Sequence, residues 1–349
     1  MPMKTIMRRI LVLAAAMLLL AVSCATAENP AAAGESAPWA EIKAGDVLCF
    51  GTPDEMSGFG GRWLVLDPAH TNTGEAGMFL VSLDLVGSDA GEPLLFRDIG
   101  DVSVSFSDRG EAYAAEHPGT IDYQGSDIQQ WCAAFAETRL SEAERQALLP
   151  TFKSDEAIVI PGLGIPLLGT NGTVDFDPAE NVLSGDRVFL LSVEEAANPA
   201  YGFTDDRSRV ALFKGEANGY WLRSPHIPTF PLDVGFVFPF GKIMDYPVSG
   251  KSIYTMNTYA RPACSLDLSG IAAAERMTAS GETVFWRLTM QGGEPNTQSY
   301  DLSLPEVGPV LDLNTMLRNV LIIAALVLAA LIGLIVWLVV RKHRKRSAK

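Results

Sequence analysis

The chain has 349 residues, 48% of them apolar and 19% charged, with 27 basic side chains against 41 acidic ones. Three of the basic residues precede Glu28 and seven follow Met316, so the 17 that remain face all 41 acids, and the net charge of −24 between these limits repels nucleic acid and anionic headgroups. Four cysteines with no C-x-x-C pair and four scattered histidines exclude a zinc framework and a disulfide-stapled miniature fold, so stability has to come from a hydrophobic core.

Residues 1–27 read as a secretory signal peptide. Lys4, Arg8 and Arg9 lead into the apolar run Ile10 to Val22, and Ala25-Thr26-Ala27 offers the small residues after which signal peptidase cuts. The run is shorter than the roughly 17 residues a spanning helix needs. Ala21-Val22-Ser23-Cys24 resembles a lipobox, with alanine where leucine is usual, which leaves acylation of Cys24 as the alternative processing. Residues 28–40 are small and polar, a flexible leader.

Order is expected from Glu41 onward. Gly45 to Gly51, Arg62 to Asp67 and Gly77 to Ser82 are short apolar runs bounded by turn formers, the pattern of an antiparallel meander. The period then changes: Ile128, Trp131, Cys132 and Phe135 lie at helical spacing behind Ser126 or Asp127 as cap. Ser141 to Glu144 has the S-x-x-E capping form, and the form recurs at Ser192 to Glu195 straight after the apolar strand Arg187 to Leu191. Between them Ile158 to Asp177 is a Gly- and Pro-rich loop whose glycines lack the spacing and the following Gly-Lys-Ser/Thr of a phosphate loop.

Strands resume at Tyr220 to Pro225, Val234 to Phe238 and Ala260 to Leu266, with Pro239 to Gly241 as a turn. Thr283 to Met290 alternates with period two, a strand of a small trailing β unit, and residues 291–317 read as a polar stalk. Val320 to Val340 is uncharged and apolar for 21 residues, about 31 Å as a helix, and a hydrocarbon core is about 30 Å thick. The basic cluster Arg341 to Arg346 follows at once and stays on the cytoplasmic side. The reading is a transmembrane helix at 318–340, meeting the bilayer through 319–340, with a basic cytoplasmic tail at 341–349 and the N-terminus outside.

Asp186 to Ser192, Trp221-Leu222-Arg223-Ser224-Pro225, Gly235 with Gly241, and Arg261-Pro262-Ala263 occur in this order. As a set they resemble an uncharacterised domain-of-unknown-function family of bacterial surface proteins in which W-W-L-R-S-P and V-R-P-A are typical; here Tyr220 and Ala260 replace the first Trp and the Val. The likeness covers about residues 41–268, with 269–317 left as the β segment and stalk. That family in turn resembles the C-type-lectin-like and formylglycine-generating-enzyme group of folds. The resemblance implies an extracellular module of α+β class, a mainly antiparallel sheet with a few short helices, and transfers no activity.

Trp221 and Arg223 share one face of a strand, and two readings of them stand. They form a stacking and hydrogen-bonding surface for a sugar or peptide, or Trp221 fills the core while Arg223 and Arg261 pair with buried carboxylates. The segment Pro225 to Tyr259 interleaves aromatics with Gly and Pro, and the candidate ligand-binding set is Trp221, Arg223, His226, Asp233, Phe238, Tyr246 and Tyr254.

No H-E-x-x-H or G-x-S-x-G motif is present, so neither a catalytic nor a metal residue is assigned, and the cofactor is left unknown. Glu294-Pro295-Asn296 repeats a lectin calcium tripeptide without the carboxylates that would complete the shell. Leu304-Pro305-Glu306-Val307-Gly308 has the layout of a sortase signal with Val where Thr belongs, and Asn171-Gly172-Thr173 is a chance sequon. Cys49, Cys132 and Cys264 read as buried hydrophobes, with one bridge among them left open. The expectation is a single-pass surface protein whose outer domain binds a glycan, peptide or protein. The alternatives are an extracellular enzyme of lectin-like fold and a non-binding scaffold.

Overall fold

The computed structural model describes residues 37–100, 108–154, 158–161, 173–176, 183–227, 232–248, 257–308 and 322. The predicted signal peptide, the lipobox, residues 162–172 of the predicted glycine-rich loop, Tyr254, and the predicted span and tail, save Ile322, lie outside the described residues; the two ends of that loop are strands instead, Ile158–Pro161 pairing antiparallel with Thr173–Phe176. Among the described residues no helix is long and apolar enough to cross a membrane. Contacts divide the chain into Met1–Ala40 and Glu41–Lys349. Of the first unit residues 37–40 are described, a turn closed by the Ala40 amide on the Ala37 carbonyl at 2.9 Å.

The second unit is α+β. It opens with β1 (Val47–Cys49), β2 (Arg62–Asp67) and β3 (Met78–Ser82), followed by α1 (Asp108–Glu116), α2 (Asp127–Arg139) and α3 (Glu142–Ala147). Short strands come next: β4 (Leu148–Leu149), β5 (Thr151–Lys153), β6 (Ile158–Pro161), β7 (Thr173–Phe176), β8 (Leu183–Asp186) and β9 (Val188–Leu190). Two single-turn helices, α4 (Val193–Ala196) and α5 (Asp206–Arg209), precede β10 (Ala211–Phe213), β11 (Glu216–Ile227), β12 (Asp233–Val237) and β13 (Ile243–Pro247). The unit closes with β14 (Thr258–Tyr259), β15 (Pro262–Leu266), β16 (Ile271–Ser280) and β17 (Thr283–Met290).

One sheet runs β16-β17-β1-β2-β3-β15-β4, with β9 also on β15; a second runs β13-β12-β11-β7-β6, with β10 and β14 on β11; β5 and β8 form a two-stranded ribbon. Among the described residues all strand pairings are antiparallel except β1 with β17 and β11 with β14. Strands β3 and β15 are buried along their whole length, which is why MFLVS and PACSL read as unbroken small or apolar runs rather than alternating ones.

The predicted meander and helices form where caps and periodicity place them. Ser126 caps α2 by accepting the Gln129 amide, and Ile128, Cys132 and Phe135 turn inward. Phe135 meets Phe59 and Trp63 edge-on, and Trp63 stacks on Phe50 at 5.2 Å. Ser141 and Ser192 each close a full capping box, on α3 and α4. Gly241 holds φ at +84°, and a Cβ there would collide with the Asp206 carbonyl, so this turn admits only glycine. Cys49, Cys132 and Cys264 are buried and unbridged, and burial pushes the Cys49 and Cys132 thiols up to about 12.

The trailing β unit continues the large sheet, and the segment after it, read from sequence as the start of a stalk, lies against the domain. Asn296 donates to the Cys49 and Leu288 carbonyls at 3.1 and 3.0 Å, and the Tyr300 hydroxyl donates to the Gly51 carbonyl at 3.2 Å. Tyr300, Leu302 and Leu304 pack on a core of Val47, Cys49, Leu83 and Phe285. Buried Arg62 grips Asp84 with two nitrogens at 3.0 and 2.5 Å and uses its third for the Asp301 and Ser303 carbonyls at 3.0 and 2.7 Å. Further along, Arg207 donates to the Val307 carbonyl at 2.9 Å.

Replacing Arg62 therefore strands a buried carboxylate and unhooks the strap together. Arg62→Ala is expected to cost about 3–5 kcal/mol in urea unfolding, and a loss below about 1 kcal/mol would show that the fork fastens nothing.

Candidate functional site

The W-x-R-S-P strand points into the protein. Trp221 is fully buried, its indole N–H donating to the Leu94 carbonyl at 2.8 Å and its ring edge-on to Phe96 and Phe236. Arg223 is equally buried and makes a two-pronged bond to Glu195, at 2.7 Å to Oε2 and 3.0 Å to Oε1, with a further donation to the Leu190 carbonyl at 2.6 Å. The ring of Phe189 lies 5.7 Å from its guanidinium. Arg261 finds no such fork. It donates to the Ser82 carbonyl at 3.0 Å and lies between the faces of Phe203 and Tyr220.

Glu195 is the hub of this interior. It closes the capping box of α4 by accepting the Ser192 amide on Oε2 at 2.9 Å. Its Oε1 also accepts from Asn72 and from Lys153, each at 2.9 Å, and Asn72 in turn takes a bond from Ser265 at 3.3 Å. Burial alone would raise its pKa, yet Arg223 and Lys153, with the hydrogen bonds from Arg223 and Ser192, hold the carboxyl far below the usual range. Sequence reasoning identified Glu195 only as a cap. The pattern alone does not separate Glu195 from its neighbour Glu194, whose side chain is 44% exposed.

Of the other predicted site residues, Tyr254 lies outside the described residues. Asp233 is buried in β12 opposite Pro247, and Phe238 is half-buried against Phe236 and Phe240. His226 pairs with Phe176 and Tyr246 with Val234 through their backbones, and their side chains lie outside the described residues. Among the described residues no three His, Cys, Asp or Glu side chains come together to hold a metal ion.

The open surface lies elsewhere. A groove of about 490 Å³ runs between α2, α3 and the β8–β9 segment, floored by Ala133, Ala136, Leu148 and Val188. Its polar walls are pre-set. Asp186 accepts from Gln129 at 2.8 Å and from the Ser184 amide at 2.9 Å; Arg145 binds Glu142 at 2.6 Å; Arg187, exposed, hangs on the Arg145 and Leu148 carbonyls. Beside it Phe152 is 67% exposed, its ring against Gly185, whose backbone lines the groove. Sequence analysis placed Asp186 and Arg187 in a motif strand but offered neither them nor Phe152 as binding residues.

A depressed carboxyl pKa is a contribution to stability present above the free value of about 4.3 and lost as pH falls toward the folded value. Glu195→Gln is therefore expected to be less stable than the parent at pH 7, with the gap narrowing steadily as unfolding is repeated at lower pH. A gap that stays constant down to about pH 2 would mean that Glu195 is not ionised in the fold.

No curated protein and no solved structure matches the chain. One family model does, described as a domain of unknown function, DUF6273, and it matches residues 60–268, from the approach to β2 to the end of β15. With more than half of its length matched, the chain belongs to the DUF6273 family.

Proposed function

We propose that this chain is a single-pass, membrane-anchored bacterial surface protein whose α+β domain stands outside the cell and binds a glycan at the groove beside Phe152. The observation that carries the reading is the composition of that groove. A set of planar donors and acceptors in Gln129, Arg145, Asp186 and Arg187 lines it together with Ala133, Ala136, Leu148 and Val188, and the exposed ring of Phe152 lies against the groove-lining Gly185. A sugar presents the matching pattern: hydroxyls that pair with carboxylate and guanidinium forks, and a C–H face that lies on an aromatic ring.

The anchor rests on sequence. A signal peptide at 1–27, an apolar run from Val320 to Val340 and the basic cluster after it favour the same topology, N-terminus outside and residues 341–349 in the cytoplasm. Protease added to intact cells is expected to remove the domain and spare the tail; a domain untouched until the cells are lysed overturns the topology.

A scaffold without a ligand is the second reading, favoured by the burial of Trp221 and Arg223, which makes the motif strand a structural device. The two separate on one experiment. Full-length protein in detergent is probed against arrays of glycans and peptidoglycan fragments, and Phe152→Ala and Arg187→Ala are each expected to weaken the observed binding by roughly tenfold, about 1.4 kcal/mol. Silence across the arrays supports the scaffold, and binding that neither substitution changes moves the ligand away from the groove.

A further inference from the structure

The strap that follows β17 is held to the domain without a backbone ladder. The last main-chain bonds before it run from the Gln291 amide to the Gly270 carbonyl at 2.8 Å and from the Gly293 amide to the Met290 carbonyl at 3.1 Å. Among the described residues no bond between two main chains ties 294–308 to the rest of the domain. Every tie runs through a side chain. Asn296 and Tyr300 reach the Cys49, Leu288 and Gly51 carbonyls, the Asn296 amide donates to the Thr289 hydroxyl at 3.4 Å, and Arg62 and Arg207 donate to the Asp301, Ser303 and Val307 carbonyls. Tyr300, Leu302 and Leu304 are half-buried over Val47, Cys49, Leu83 and Phe285.

We infer that residues 294–308 are a clasp that opens as a unit while the domain stays folded, and that the opened segment serves as a stalk between the domain and its anchor. The stalk role rests on the proposed membrane anchor; the opening of the clasp does not. Extended, the 15 residues reach about 50 Å, so release lets the domain stand off from the point where the chain enters the bilayer.

Three features favour a separate opening. First, it leaves no buried charge alone: Arg62 keeps both of its bonds to Asp84 and exchanges only the two strap carbonyls for water. β1 likewise keeps β2 and β17 as neighbours, so the sheet stays whole. Second, a hinge stands at the start of the strap, where Gly292 holds φ at +72° with open space around it and Gly293 follows. Third, the direction of pull suits release. The chain leaves the strap at Gly308, so tension from the C-terminal side meets the Arg207 tie to Val307 first, then Leu304 and the Arg62 tie to Ser303, one after another. Strands joined by a ladder would share that load, and contacts met singly do not.

Three buried, unbridged cysteines report on the event, because Cys49 lies under the strap while Cys132 and Cys264 sit on α2 and β15. Full-length protein in detergent is treated with iodoacetamide under native conditions, and each cysteine is followed by peptide mass spectrometry. Cys49 is expected to react at least about tenfold faster than the other two, and Tyr300→Ala to speed it by roughly tenfold more while Cys132 and Cys264 keep their rates. Equal rates at all three in the parent, a rise at all three in Tyr300→Ala, or a Cys49 rate that the substitution does not move shows that the strap does not open on its own and overturns the inference. The stalk is read in vesicles, by energy transfer from a dye on Met56→Cys, an exposed position, to a labelled headgroup. Transfer is expected to fall when Tyr300→Ala is added, and unchanged transfer beside a faster Cys49 overturns the stalk role. Protein that does not float with the vesicles fails the anchor, on which the cysteine rates do not depend.

Discussion

Four separate parts of the chain converge on one buried carboxylate. Glu195 faces the desolvation cost that makes an isolated buried charge intolerable, and five donors from four separate places in the chain answer it: the Ser192 amide, two nitrogens of Arg223, Lys153 and Asn72. The α4 turn, β11, β5 and the loop after β2 are thereby bound to a single point, and Ser265 extends the connection to β15. Hydrophobic packing alone would tolerate small slips between these elements. A carboxylate with a fixed number of lone pairs does not, so the cluster sets register where the surrounding aromatics set volume.

A second constraint closes the other end of the sheet. β1 lies between β2 and β17, the last strand of the domain, and the strap that follows runs back over the same corner, held by Arg62 and by the Tyr300, Leu302 and Leu304 side chains. The family-matched segment, 60–268, contains neither β1, β16 nor β17. In this protein the edge that β2 would expose is covered by strands from outside that segment, so the folding unit is larger than the shared one.

The parts legible in the sequence were those decided locally. Ser126, Ser141 and Ser192 announced their helices because a cap and its free amides are three residues apart, and the β1 to β3 meander announced itself through short apolar runs between turn formers. Pairings between distant segments left no such trace: nothing in Val47–Cys49 says that its second neighbour is Phe285 to Arg287. The strap is an instructive middle case. Tyr300, Leu302 and Leu304 alternate with Asp301, Ser303 and Pro305, the period of a chain with one buried side, but the polar residues and prolines around them read as a stalk. The same holds for Trp221 and Arg223, whose shared face was legible and whose direction was not. Direction depends on Glu195, a residue on another element.

That dependence separates the motif from the ligand. A strand carrying Trp, Arg, Ser and Pro looks like a recognition surface because these side chains are the ones that recognise things, yet their donors are equally suited to partners within the chain. Here Trp221 is answered by Leu94, Arg223 by Glu195 and Leu190, and the Ser224 hydroxyl by the Val193 amide at 2.9 Å. A motif whose polar groups, the donors of Trp221 and Arg223 and the acceptor of Ser224, are matched inside the core specifies the fold. The side chains that the core leaves exposed stand instead on short strands and the pieces between them, as Phe152 and Arg187 do.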